Sequence, residues 1–216
     1  MPRKAGRGQP RVPPPDAEFA KCSPSLVSSY RLRWYRLAVI ARPSLFDWDD
    51  RAVSRFSYPT LPYKILHLAD EKETAFWEAF GGEIEDMPVD NRALMKKTQI
   101  ETRGWVSFEV PAGLRLINIT DEDTIRALRS NASTWLAPYK HCQAWARALM
   151  NHPMRFDGFI YQSRRGSTAR CLALFSRPNE ITTEHLLFAR TETGRPSIIK
   201  DPDFVELLIE HDIDMR

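Results

Sequence analysis

The chain has 216 residues, of which 43% are hydrophobic, 27% charged and 11% aromatic. That length supports one well-cored domain, and that composition excludes collagen-like and wholly disordered chains. The formal charge of +3 is local: residues 1–24 hold five basic and two acidic residues, whereas the remainder carries 26 of each. A nucleic-acid-binding domain needs its Lys and Arg on a folded face, so a neutral remainder argues against direct nucleic-acid binding.

Residues 1–24 also contain six of the sixteen prolines. They read as a disordered, basic, Pro-rich leader, with the folded domain spanning 25–216. Arg31–Ala41 alternates charged and apolar residues and predicts a strand with arginines on one side. Tyr63–Ala69 predicts a short buried strand. Asp70 then caps a helix over Glu71–Phe80, which Gly81-Gly82 stops. Trp105–Val110 and Leu114–Ile119 predict two strands around Pro111-Ala112-Gly113. Thr120 and Asp123 have capping-box spacing for a helix through Arg129. Tyr139–Asn151 has helical periodicity, closed by Pro153. Phe156–Gln162 and Arg170–Phe175 predict a strand pair around the polar turn 163–168, and Phe204–Ile209 a packed closing element. Strands and helices intermix, with more short strands than βαβ units require. The expected fold class is therefore α+β: one mixed domain with a bent or split central sheet.

Cys22, Cys142 and Cys171 are widely spaced and odd in number, which argues against a disulfide framework or a cysteine-rich zinc site. No stretch has the length of a membrane span, and no apolar segment of signal-peptide type follows the basic start. A reduced cytoplasmic protein is expected. The five histidines lack metal-ligand spacing, so no metal site is expected, and the Walker A, GxGxxG, HExxH and GxSxG patterns are absent.

Glu78 sits in a helix that is otherwise apolar nearly all round: Ala75, Phe76, Trp77, Ala79 and Phe80. A carboxylate there is costly unless it is paired, used, or on the one solvated edge, and both structural and functional readings stand. Arg36 and Arg55 are cationic forks suited to phosphates, with sheet-face salt bridges as the plain alternative and Arg31 and Arg33 as competitors. Ser163 ends a strand beside a turn, where turn chemistry alone would explain it. His67 interrupts a buried strand as a core group or a pocket wall.

The order of these pieces resembles the RES domain family, named for its arginine, glutamate and serine. Tyr35-Arg36 is similar to the family's opening strand. Ser54-Arg55-Phe56 is similar to its glycine–arginine–aromatic segment without the glycine. Ile65-Leu66-His67-Leu68-Ala69 and Ala75-Phe76-Trp77-Glu78 match its next strand and Ala-x-x-Glu helix. Asp157-Gly158-Phe159-Ile160-Tyr161-Gln162-Ser163 matches its Asp-Gly-(apolar)-(apolar)-Tyr-x-Ser block, and Cys171–Phe175 the following strand. His67 stands where the family usually has tyrosine, with Tyr58 or Tyr63 available to compensate.

The resemblance implies a fold similar to ADP-ribosyltransferase toxins. It implies a toxin that takes NAD as substrate, with no other cofactor, and cleaves the nicotinamide–ribose bond with water or phosphate as acceptor. ADP-ribosylation of a protein, or an inactive NAD-binding module, are the alternatives. It further implies an antitoxin partner with a helix-turn-helix domain. The implied catalytic residues are Glu78, Arg36 and Ser163, and the implied substrate contacts are Arg36, Arg55, His67, Tyr58 and Ser163.

Overall fold

The computed structural model describes residues 15, 17–28, 30, 33–42, 53–57, 63–85, 93–165, 168–176, 188–190 and 197–215. The strands are β1 (Arg33–Val39), β2 (Lys64–Ala69), β3 (Ala93–Met95), β4 (Arg103–Glu109), β5 (Leu116–Asn118), β6 (Gly158–Gln162), β7 (Arg170–Ser176), β8 (Phe188–Arg190) and β9 (Ile213–Met215). The helices are α1 (Lys72–Glu85), α2 (Lys97–Glu101), α3 (Glu122–Ala127), α4 (Tyr139–Met150) and α5 (Pro202–Glu210). Seven strands form one sheet in the order β5-β6-β7-β2-β1-β4-β8, and β3 pairs with β9 in a small parallel ribbon. Among the described residues only β5 and β6 run parallel within the large sheet, and α3 and α4 make the crossover between them. The fold is thus mixed α+β, as the interspersed sequence pattern predicts.

The split lies at the middle of the sheet. β1 is in register with β4 along its whole length, from Arg33↔Glu109 to Val39↔Arg103, and β2 with β7 from Lys64↔Ser176 to Ala69↔Cys171. Between β1 and β2 the register holds only at Tyr35↔Ala69. The next opposed pair on that face would be Leu37 and His67, and there the strands part.

Alternation along the strands builds a core on each face. Leu66 and Leu68 of β2, Ile160 of β6, and Leu172 and Leu174 of β7 join Trp34, Val106 and Phe108 on one side. Phe159 and Tyr161 of β6, and Cys171, Ala173 and Phe175 of β7, face α1, α4 and α5 on the other. Gly158 is required where β6 meets β7: a Cβ there would lie 2.1 Å from the Ala173 carbonyl oxygen. α5 docks on α1 through Phe204 against Phe76, with ring centroids 5.7 Å apart. The Lys72 ammonium, 2.9 Å from both Asp201 and Asp203, fixes the same pair of helices.

Three expectations change. α1 does not stop at Gly81-Gly82 but continues to Glu85. Gly81 serves a close approach instead, since a Cβ there would lie 2.4 Å from Cδ of Arg165. The N-cap of α3 is Asp121, whose side chain accepts from the Thr124 N–H at 2.9 Å; the Thr120 hydroxyl donates to Asn118. The packed chain also reaches back into the segment read as leader. Phe19 is buried, its ring set edge-on against Trp145 and His152, and Cys22 is buried with it. An aromatic ring gains more from that apolar pocket than a proline-rich context suggests.

Candidate active site

The gap between β1 and β2 opens a cleft of about 140 Å³, lined by Tyr35, Arg36 and Leu37 from β1, His67 from β2, Ala75 and Glu78 from α1, and Tyr161 and Cys171 from β6 and β7. α1 crosses this gap with Phe76 and Phe80 turned into the core and Glu78 at the rim, its side chain 28% exposed. The carboxylate is therefore neither buried in the apolar face of its helix nor free in solvent. The Ser163 hydroxyl donates to its Oε1 at 2.6 Å, and an Arg55 guanidinium nitrogen lies 3.8 Å from the same oxygen.

Arg55 is the buried member, with only 8% of its surface exposed. Its guanidinium carbon lies 5.1 Å from the Phe56 ring centroid and 5.0 Å from that of Tyr161, and one nitrogen donates to the Gln162 carbonyl at 3.4 Å. A planar, weakly hydrated cation stacked on rings and paired with a carboxylate is an arrangement suited to Arg rather than Lys. Arg36 is half-buried on the facing wall. Arg33, a competitor at the sequence level, points away at 56% side-chain exposure, 3.9 Å from Glu109. Arg31 and Tyr58 lie outside the described residues.

His67 spans the back of the cleft. Its Nδ1 lies 3.1 Å from the Tyr161 hydroxyl and its Nε2 3.3 Å from the Ser54 hydroxyl. A neutral imidazole donates through one nitrogen and accepts through the other, so both contacts are satisfied without charge. Burial, then the charges of Arg36 and Arg55, lower its pKa from 6.5 to about 3. Burial also raises the Tyr161 hydroxyl and the Cys171 thiol above their ordinary values, with the Glu78 charge adding to both shifts. The cleft thus presents the Arg36 guanidinium and the Glu78 carboxylate among neutral polar groups, with the Arg55 guanidinium 3.8 Å from that carboxylate and lining an adjoining hollow.

Two hollows adjoin it. Ser163 lines one of about 190 Å³ with Asp70, Glu73, Trp77, Arg165 and Thr168. Arg55 and Tyr161 line another of about 110 Å³ with Ile119, Thr120, Ile125 and Trp135. Glu78, Ser163 and Arg55 stand at the junction. Among the described residues no group of three or more His, Cys, Asp or Glu is placed to hold a metal ion. No helix among them is long and apolar enough to cross a membrane.

The structure therefore brings Arg36, Arg55, His67, Glu78 and Ser163 together. It adds Tyr161, Cys171, Ser54 and Gln143. Tyr161 is legible because it lies two residues before Ser163, whose N–H donates to the Ala169 carbonyl at 2.9 Å and so continues the β6–β7 pairing with Ser163 on the same face. Cys171 follows from the β6–β7 register, which sets it opposite Tyr161. Gln143 is a polar residue within the apolar stripe of α4, which marks it as unusual without saying what it meets.

The RES domain model matches residues 33–191, and the chain belongs to the RES domain family. Among solved structures, a chain of the M. tuberculosis MbcT–MbcA toxin–antitoxin complex is similar in fold. The likeness has a TM-score of 0.56 at 15% identity and covers 89% of this chain and 97% of that one. A comparison with curated proteins finds no match.

Proposed function

We propose that this chain is the toxin of a toxin–antitoxin pair and that it consumes NAD by cleaving the bond between nicotinamide and ribose. The observation that carries the reading is Glu78: a carboxylate held by Ser163 and Arg55 at the rim of a split-sheet cleft with a second arginine on the facing wall.

The chemistry follows from the charges. The C1′–N bond breaks heterolytically, its electron pair leaves with nicotinamide, and nicotinamide departs neutral. Positive charge develops on the ribose, where a fixed carboxylate stabilises it, as carboxylates do in glycosidases. Ser163 fixes the carboxylate by donating to one oxygen, leaving the other toward the ribose or one of its hydroxyls. Arg55 and Arg36 supply the cationic forks for the pyrophosphate. A water or phosphate oxygen then adds at C1′, a water giving up one proton to solvent, and completes the substitution. The cleft is smaller than the roughly 300–1,000 Å³ of drug-sized sites, so it holds one end of the dinucleotide and the adjoining hollows the rest.

The MbcT–MbcA neighbour and the family resemblance support an antitoxin partner, expected to carry a helix-turn-helix domain. The testing experiment incubates the purified chain with NAD, with and without phosphate, and resolves nicotinamide, ADP-ribose and its phosphorylated form by chromatography. Nicotinamide release above that of a Glu78→Ala control supports the proposal. Label transferred from NAD to a protein would select ADP-ribosylation instead, and calorimetric NAD binding without turnover would select the inactive module. The absence of both binding and release overturns the reading.

A further inference from the structure

We infer that Gln143 is a positioning residue: it holds Arg55 against Glu78 at the edge of the cleft by clamping the turn that carries it. The inference rests on the reading of Arg55 as a substrate contact.

Residues 53–57 have no regular secondary structure, yet Arg55 is among the few buried charged residues described. The turn closes on itself first. The Ser54 N–H donates to the Ser57 carbonyl at 2.8 Å, and the Ser54 hydroxyl accepts from the N–H groups of Phe56 at 3.3 Å and Ser57 at 3.1 Å. Two neighbours then grip it. From α4, the Gln143 side-chain nitrogen donates to the Ser54 carbonyl at 2.8 Å and to the Ser57 carbonyl at 3.1 Å. From β2, His67 reaches the Ser54 hydroxyl. Both partners of the Gln143 nitrogen are acceptors, so the amide is oriented with its NH₂ toward the turn and spends both hydrogens there.

Gln143 is 9% exposed, on a helix face otherwise made of Cys142, Trp145, Ala146 and Leu149. Helix packing alone would be served as well by leucine or methionine, and a buried amide is costly unless its hydrogen bonds are supplied. Here they are supplied by the two ends of the Arg55 turn. With the turn fixed before substrate arrives, little ordering remains to be done at binding, and the guanidinium meets the substrate pre-aimed.

The experiment compares wild type, Gln143→Met and Arg55→Ala, and the double variant, by steady-state kinetics on NAD and by hydrogen exchange of the Ser54, Phe56 and Ser57 amides. Gln143→Met is expected to raise KM for NAD about tenfold, the size of a typical net hydrogen bond, with a smaller change in kcat. In the Arg55→Ala background it is expected to add little, because both changes remove the same contact. Exchange of the three amides accelerates. An unchanged KM, or a Gln143→Met effect that adds in full to that of Arg55→Ala, overturns the inference. Should Gln143→Met fail to fold, Ser54→Ala loosens the same turn from within and is read the same way. If the wild-type protein neither binds nor cleaves NAD, the functional reading falls and hydrogen exchange alone decides: faster turn exchange supports the clamp, and unchanged exchange refutes it.

Discussion

Acidification destabilises the folded chain through His67, by an amount that the cleft geometry sets. Burial, Arg36 and Arg55 lower the folded-state pKa to about 3, whereas the unfolded ring protonates near its ordinary 6.5. Between those values the unfolded state binds more protons. Stability from this group is therefore fully present above 6.5 and is lost as pH falls toward 3. The slope approaches about 1.4 kcal/mol per pH unit, so passing from about pH 7.5 to about pH 5 costs roughly 2 kcal/mol. That is a large fraction of a stability of about 5–15 kcal/mol.

Urea unfolding of wild type and His67→Gln across this range isolates the effect, because subtracting the two curves cancels every other titrating group. The wild-type advantage should shrink by roughly 2 kcal/mol on acidification. Parallel curves would refute a His67 held neutral by its surroundings. The same neutrality predicts that His67 contributes no limb to the pH profile of kcat/KM between about pH 5 and 8. A limb near 6.5 that disappears in His67→Gln would contradict it.

Other outcomes follow from single contacts. Gly158→Ala forces a methyl group into the Ala173 carbonyl and should cost about 3 kcal/mol, read as a lowered urea midpoint; an unchanged midpoint would mean that β6 and β7 are not so closely apposed. Phe19→Ala empties a pocket against Trp145 and His152 and should cost about 3 kcal/mol, read by thermal unfolding; no shift in Tm would return residue 19 to the leader. Ser163→Ala removes the 2.6 Å hydrogen bond to Glu78. Nicotinamide release should fall about 10- to 100-fold, the scale of a hydrogen bond to a charged group, while Tm moves little.

Much of this was legible in the sequence, for reasons that differ by element. β2, β6 and β7 announce themselves because both their faces are buried, so apolar runs bounded by turn residues suffice. Arg36, Arg55, Glu78 and Ser163 were found through the order of their motifs, and Glu78 also as a carboxylate in an apolar helix. What was not legible depends on tertiary context. Gly81-Gly82 reads as a helix stop, yet the helix runs on to Glu85, and the glycine at 81 instead leaves room for the side chain of Arg165. β3, β8 and β9 are three-residue strands whose pairing is decided by distant partners, Ala93 with Ile213 and Ser107 with Arg190. In the sequence His67 stands only as a departure from the family's usual tyrosine. The structure gives it two hydroxyl partners, Tyr161 and Ser54, and so a place in the wall of the cleft. Gln143 is seen only when α4 is brought against the turn bearing Arg55.

The central claim is that Glu78 stabilises positive charge developing on a ribose. Its most direct test is Glu78→Gln, which preserves size and the ability to accept from Ser163 while removing the charge. Nicotinamide release from NAD should fall at least about 100-fold, the scale of losing one preorganised electrostatic contact, while NAD affinity measured by calorimetry stays near that of wild type. Release at the wild-type rate in Glu78→Gln would contradict the account.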